Sequence, residues 1–199
     1  MFLFFITSCS FFYENKHHTK KQNNNINREI INNFSKAISK NPDNFLFFFE
    51  RGKAKHNYGD YVGAIEDFNY SLILNSNQKV IFHKGKSKYS YGDHKGAIKD
   101  FKNLISKKIL QDQVFYNIGN SQFILLNYQE AVNNYTRSIR YDQYDENSYL
   151  NRGNAKFLLG DYYGAINDFE KSLSINKNSY VALNNLGVSK FNLKKYRSA

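Results

Sequence analysis

Between residues 149 and 175 the apolar positions recur at helical spacing in two bursts. The first burst, Tyr149 to Leu159, carries the small residues Gly153 and Ala155, which leave room for another helix to approach. Gly160-Asp161 then interrupts the pattern: glycine permits the backbone turn that ends a helix, and aspartate can accept the free N–H groups that open the next. The second burst, Tyr162 to Ile175, puts Ala165, Ile166, Phe169 and Leu173 on one face. A hairpin this short cannot bury its own apolar stripe. It needs neighbours of the same kind.

The chain supplies them in phase. Aligned on Gly153, the glycines Gly52, Gly85, Gly119, Gly153 and Gly187 stand at intervals of 33, 34, 34 and 34 residues. Four residues before each comes a large apolar residue (Phe48, Ile81, Phe115, Tyr149, Leu183). Twelve after each comes alanine (Ala64, Ala97, Ala131, Ala165, Ala199), and four further on an aromatic: Phe68, Phe101, Tyr135, Phe169. A fixed period of this length predicts a solenoid built from one repeated supersecondary unit. The boundaries read as a partial repeat over 26–44, then repeats over 45–77, 78–111, 112–145 and 146–179, with an incomplete fifth over 180–199. In the partial repeat Ile30, Ile31, Phe34, Ala37 and Ile38 form one stripe that ends at Asn41-Pro42.

These positions resemble the tetratricopeptide repeat, whose pattern has an aromatic residue, a Leu-Gly pair, then alanine and an aromatic four later. The resemblance covers residues 26–199. It implies an all-α fold, an α–α superhelix of right-handed coil, with a concave groove lined by the first helix of each pair. Two departures stand out. The family's closing proline is kept only at Pro42, with Ser76, Ile109, Gln143 and Lys177 in its place elsewhere, and the leucine before the glycine is often basic.

The second departure has an internal partner. Where Arg51, Lys84 or Arg152 precedes the glycine, Asp67, Asp100 or Asp168 stands fifteen residues after it; in the third repeat both positions are uncharged, Ile118 and Asn134. This predicts a half-exposed ion pair bridging the two helices of a repeat, contributing up to about 1 kcal/mol and orienting more than stabilising. Helix starts follow a rule too. Asp60, Asp93, Asn127 and Asp161 stand where an N-cap is needed, and Glu130 three after Asn127 makes a capping-box variant.

Candidate chemistry lies in the groove. Two before each glycine stand Glu50, His83, Asn117, Asn151 and Asn185; one after it stand Lys53, Lys86, Asn120, Asn154 and Val188. An asparagine amide both donates and accepts, so amides stacked one per repeat can hold an extended peptide by its backbone. Some tetratricopeptide superhelices use such a ladder, and Asn117, Asn151 and Asn185 match it; the bland alternative is that asparagine merely solvates the groove of an Asn-rich chain. Phe123 and Phe157 read either as apolar contacts along that surface or as core. The carboxylate clamp of chaperone-tail-binding members needs several groove cations, of which Lys53, Lys79 and Lys86 offer a partial version.

Composition narrows the function. There are 16 Tyr and 18 Phe for a core, one Pro, and a single Cys, which excludes an intrachain disulfide or a cysteine zinc cluster. No phosphate loop, HExxH or GxSxG motif is present, so neither an enzyme nor a cofactor is expected. The net charge is +11, and residues 78–111 carry nine Lys against two Asp, which allows an alternative reading as a basic scaffold for a membrane surface or polyanion. The lysines are scattered over both helices without interleaved exposed aromatics, so nucleic acid is not the expected partner.

The N-terminus reads as processing rather than fold. Met1 to Ile6 is apolar, and Ile6-Thr7-Ser8-Cys9 resembles the lipobox of bacterial lipoproteins, although a basic leader is missing. On that reading residues 1–8 are a signal segment, Cys9 is lipidated, and residues 9–25 tether the fold to the periplasmic side of the cell envelope; without a signal the expected location is cytoplasmic. His17-His18 sits in that polar tether, where adjacent histidines make a poor chelate. At the other end Leu183, Leu186 and Phe191 lack a full cover, which predicts further repeats or a capping partner. The expectation is a non-enzymatic interaction module that binds a protein or extended peptide.

Overall fold

The computed structural model describes residues 23–197, with side chains as far as residue 194. Every regular element among them is a helix: α1 over 23–40, α2 Phe45–Tyr58, α3 Tyr61–Leu74, α4 Gln78–Tyr91, α5 His94–Ile105, α6 Gln111–Ile124, α7 Tyr128–Tyr141, α8 Glu146–Leu158, α9 Tyr162–Ile175 and α10 Tyr180–Arg197. They fall into two compact units, one ending at Tyr91 and one beginning at Gly92. In the first, α2 packs on α3 and α3 on α4; in the second, each helix from α5 to α10 packs on the next. The fold is the all-α helix-hairpin solenoid that the period implies.

The repeated residues are its core. In the first unit Ala64, Phe68 and Val80 are fully buried, with Phe49 and Leu72 packed against them; in the second, Ala131, Tyr135 and Ala155 do the same with Tyr116, Phe123 and Val132. The glycine that sets the phase is there for a close approach. A Cβ on Gly153 would stand 2.7 Å from Cε1 of Phe169, and Gly52 and Gly119 meet the rings of Phe68 and Tyr135 at the same distance. The aromatic sixteen residues later therefore packs directly against its own repeat's first helix, and Ala165 beside it is fully buried. Gly187 differs: a Cβ there would meet nothing within 4 Å.

The helix starts obey a narrower rule than an N-cap alone. Asp60, Asp93 and Asp161 accept from the N–H groups of Gly63, Gly96 and Gly164 at 2.9, 2.9 and 2.8 Å. Each carboxylate lies over that glycine, where a Cβ would come within about 2.0–2.3 Å of Oδ2. Asn127 makes no such bond, contrary to the capping-box expectation. The third position after it is Glu130, whose Cβ occupies the space the cap would need, and the Asn127 amide turns away to donate to Gln122 Oε1 at 2.8 Å. The preceding turn departs too. Gly59, Gly92 and Gly160 take positive φ, but the third repeat puts Leu126 there at φ 63°, a conformation L-residues with a Cβ disfavour.

The predicted ion pairs form at both sites where arginine supplies them, in a different setting from the expected half-exposed one. Asp67 and Asp168 are buried, at 2% and 1% exposure. Arg152 Nη2 and Nε donate to the two Asp168 oxygens at 2.6 and 2.9 Å, and Arg51 grips Asp67 in the same bidentate way. A lysine three after the glycine completes each cluster: Lys55 Nζ lies 3.0 Å from Asp67 Oδ2, and Lys156 Nζ 2.8 Å from Asp168 Oδ2. The guanidinium also reaches sideways, from Arg51 to Ser35 Oγ and from Arg152 to Thr136 Oγ1. These are charge clusters around a buried carboxylate rather than surface pairs, and they tie one repeat to the one before it. Lys84 and Asp100, the third predicted pair, lie in different units.

At the N-terminal end the helix is already formed at residue 23, so 23–25 belong to α1 and not to an irregular tether. The segment contains no Pro or Gly, and Asn27 Nδ2 donates to the carbonyl of Asn23, which supports the extra turn. Cys9, the segments 1–8 and 9–22, and Ala199 lie outside the described residues.

Candidate peptide-binding groove

The asparagines of the second unit meet in register, but mostly one another. Asn151 Nδ2 donates to Asn120 Oδ1 at 3.1 Å and to Tyr116 Oη at 3.2 Å; one repeat later Asn185 Nδ2 donates to Asn154 Oδ1 at 2.8 Å. Asn120 Oδ1 also accepts from Tyr135 Oη at 2.8 Å, which fixes its orientation from the core side. The two sequence positions therefore form one device, in which the residue two before a glycine donates to the residue one after the preceding glycine. Each pair uses one donor and one acceptor. What remains is the Nδ2 of Asn120 or Asn154 as a donor and, as an acceptor, the Oδ1 of Asn151 or the second lone pair of Asn185 Oδ1, which already accepts from Asn184 Nδ2 at 3.4 Å; together these complement a peptide group. Asn117 does not join: its Nδ2 donates to the carbonyl of Gln113 at 2.7 Å.

Beside the Asn154–Asn185 pair is a cavity of about 290 Å³ lined by Phe123, Phe157, Leu158, Phe169 and Val188 with those two asparagines. Phe157 and Phe123 each make an edge contact with the tyrosine that opens the following helix, Tyr162 at 5.3 Å and Tyr128 at 5.4 Å. Phe123 packs against the core cluster of Ala131, Tyr135 and Ala155 and also lines this cavity. The site is an apolar pocket with paired amides on its lining, which suits one uncharged side chain beside a hydrogen-bonded backbone. The pairing of the asparagines was not legible in the sequence; its signal is their separation of 31 residues, three short of the repeat.

The matching positions of the first unit are differently made. Lys53 Nζ lies 2.7 Å from Glu50 Oε2 and sits 5.0 Å over the Phe49 ring. Those contacts take up the cation that a carboxylate clamp would use. His83 is wedged among aromatics, edge-on to Phe49 at 5.3 Å and to Phe82 at 5.9 Å. Burial, reinforced by Lys86, Lys53 and His56, lowers its pKa to about 4 against a smaller opposing pull from Glu50. It is neutral at pH 7 and acts there as an aromatic, not as a cation. His56, bonded through Nδ1 to Ser87 Oγ at 2.9 Å, is also pushed down by burial and by Lys86. Lys86 is exposed. Among the described residues no cluster of three His, Cys, Asp or Glu side chains could hold a metal ion, and no helix is long and apolar enough to cross a membrane.

Packed helix hairpins in a fixed period, with small residues at the crossings and polar positions along one face, define a helical-repeat scaffold. Residues 147–179, where the pattern is most complete, match the model of the tetratricopeptide repeat. A comparison with curated proteins finds no significant match. Solved structures share the fold. That of MamA matches with a TM-score of 0.69 at 19% identity, over 74% of this chain and 86% of its own. YrrB, described as a TPR protein with an unusual peptide-binding site, matches with a TM-score of 0.67 at 17% identity, over 81% of this chain and 84% of its own. The first TPR domain of Spaghetti (RPAP3), solved with the HSP90 peptide SRMEEVD, matches with a TM-score of 0.57 at 21% identity, over 60% of this chain and 94% of its own. At these identities the likeness establishes the fold.

Proposed function

We propose that the chain is a non-enzymatic protein-interaction scaffold whose second unit binds an extended peptide segment. The observation that carries this reading is the Asn185–Asn154 amide pair beside the apolar cavity of Phe123, Phe157, Leu158 and Val188. The Asn154 Nδ2 and Asn185 Oδ1 hold the partner's backbone, and the pocket takes one apolar side chain. Asn151 and Asn120 repeat the amide arrangement one repeat earlier in the same unit. Because the asparagines are already oriented by bonds to one another and to Tyr135, little side-chain freedom is lost on binding.

The test is selection of displayed peptides on the full chain, then affinity of a selected peptide measured at low and high salt. Asn154→Ala with Asn185→Ala is expected to weaken it about tenfold, the loss of one or two hydrogen bonds, with little salt dependence. An affinity that ignores both substitutions and collapses with salt overturns the groove reading and favours the basic surface of residues 78–111.

The N-terminal reading is also a proposal: Ile6-Thr7-Ser8-Cys9 supports lipidation of Cys9 and attachment to a membrane on the envelope side. Fractionation of cells producing the chain tests it. Cys9→Ser should move the protein from the membrane to the soluble fraction, and an unmodified protein that is soluble from the start refutes it.

A further inference from the structure

The arginines of this protein fall into two kinds. Arg51 and Arg152 use their guanidinium donors on a buried aspartate and a neighbouring hydroxyl. Arg137 and Arg140, three residues apart on α7, are exposed and make no hydrogen bond or ion pair among the described residues. At that spacing on a helix their like charges face each other and repel. Arg140 lies in the last turn of α7, where the helix end favours a cation. That accounts for one charge and leaves the donors of both unused.

The surroundings give the pair a fixed floor. The Arg137 guanidinium lies 5.5 Å over the Phe115 ring, which stacks on Tyr141 at 5.8 Å and 13°. Two concavities flank the arginines and both are lined by both: one of about 300 Å³ with Phe115 and Tyr141, one of about 260 Å³ with Asn133 and Thr136. We propose that Arg137 and Arg140 form a carboxylate-binding site for a short acidic segment of a partner protein, independent of the asparagine groove. Each planar guanidinium fork can grip a carboxylate with two parallel hydrogen bonds. The exposed Tyr141 ring, backed by buried Phe115, receives the methylene stem of a glutamate, while the Asn133 amide offers a polar contact on the other side. The cation–π contact holds Arg137 in place before a ligand arrives. An extended polyanion suits the surface less well, because α7 itself carries Glu130 in its first turn and ends on Asp142.

The experiment uses the full chain titrated with a glutamate-rich hexapeptide, its glutamine analogue and inorganic phosphate, followed by the arginine Nε–Hε resonances. The glutamate peptide should bind and shift the Arg137 and Arg140 signals, and the glutamine analogue should not. Arg137→Gln with Arg140→Gln should weaken the glutamate peptide by about tenfold. Lys95→Gln with Lys99→Gln, which removes equal charge from exposed positions on α5, should weaken it by less than about twofold. Three results overturn the proposal: no binding of the glutamate peptide, equal losses in the two double variants, or inorganic phosphate competing as strongly as the peptide. The first would show that the pair takes no carboxylate, the second that the attraction is diffuse, and the third that the site prefers phosphate.

Discussion

Removing Asp168 alone and replacing its whole cluster should have very different consequences. Asp168 is 1% exposed and accepts from Arg152 Nε, Arg152 Nη2 and Lys156 Nζ within 2.9 Å. Asp168→Ala leaves two cations facing each other with side chains only 15% and 19% exposed. Breaking a buried pair in this way costs about 3 kcal/mol, because the remaining charges are desolvated and unpaired. The third repeat displays the alternative. There the three positions are Ile118, Gln122 and Asn134; Ile118 is 1% exposed, and the Asn134 amide is satisfied by the carbonyl of Glu130 at 2.7 Å. Transplanting that set as Arg152→Ile, Lys156→Gln and Asp168→Asn removes all the charge at once and should lie within about 1 kcal/mol of the parent. Native-state hydrogen exchange of the α8 and α9 amides reads the opening free energy of this hairpin directly. A triple variant as unstable as Asp168→Ala would refute the reasoning, since it would mean that the ionic bonds themselves, and not the avoidance of an orphaned charge, hold the helices together.

Two further outcomes follow from the packing. Gly153→Ala should destabilise by about 1–3 kcal/mol because Phe169 has nowhere to retreat; urea titration of the variant decides, and an unchanged stability would contradict the close-approach argument. His83 has a folded pKa of about 4 against 6.5 when unfolded, so between those values the unfolded chain binds the extra proton. Stability is therefore fully present above about pH 6.5 and declines as pH falls towards 4. His83→Phe, which keeps an aromatic among Phe49, Phe68 and Phe82, should flatten this part of the pH–stability curve, and an unchanged slope would place the proton elsewhere.

Period and core were legible because one geometric demand generates both. An aromatic ring in close contact with a glycine forces both residue types and their separation of sixteen, and any repeat that keeps the contact keeps the spacing. The Arg51–Asp67 and Arg152–Asp168 pairs were legible for the same reason, since a charge lost at one position is lost at the other. Their burial was not, because Lys55 and Lys156 read as ordinary solvated lysines until the fold brings them to the same carboxylate. The groove was half legible. The asparagine positions are visible in phase, but which amide groups are left unpaired depends on bonds between consecutive repeats, and those appear at 31 residues and not at the repeat length.

The capping rule shows why a residue-by-residue reading of the third repeat misleads. Asn127 is as good an N-cap residue as aspartate by type, yet it does not cap. What the other repeats share is a set of three: glycine at the left-handed turn, aspartate next, and a glycine three residues on that lets the carboxylate lie over the helix end. The third repeat replaces all three at once, with Leu126, Asn127 and Glu130, and it replaces the charge cluster in the same stroke with Ile118, Gln122 and Asn134. The two sets meet physically, because Gln122, which stands where Lys55 and Lys156 reach their aspartates, is the residue that receives the Asn127 amide. In two of the capped repeats that lysine also reaches the carbonyl of the second glycine, Lys55 to Gly63 and Lys156 to Gly164. Cap and cluster are thus one hydrogen-bonded assembly at the hairpin turn. The third repeat changes all these parts together, while it keeps the glycine–aromatic contact, Gly119 against Tyr135, that sets the period.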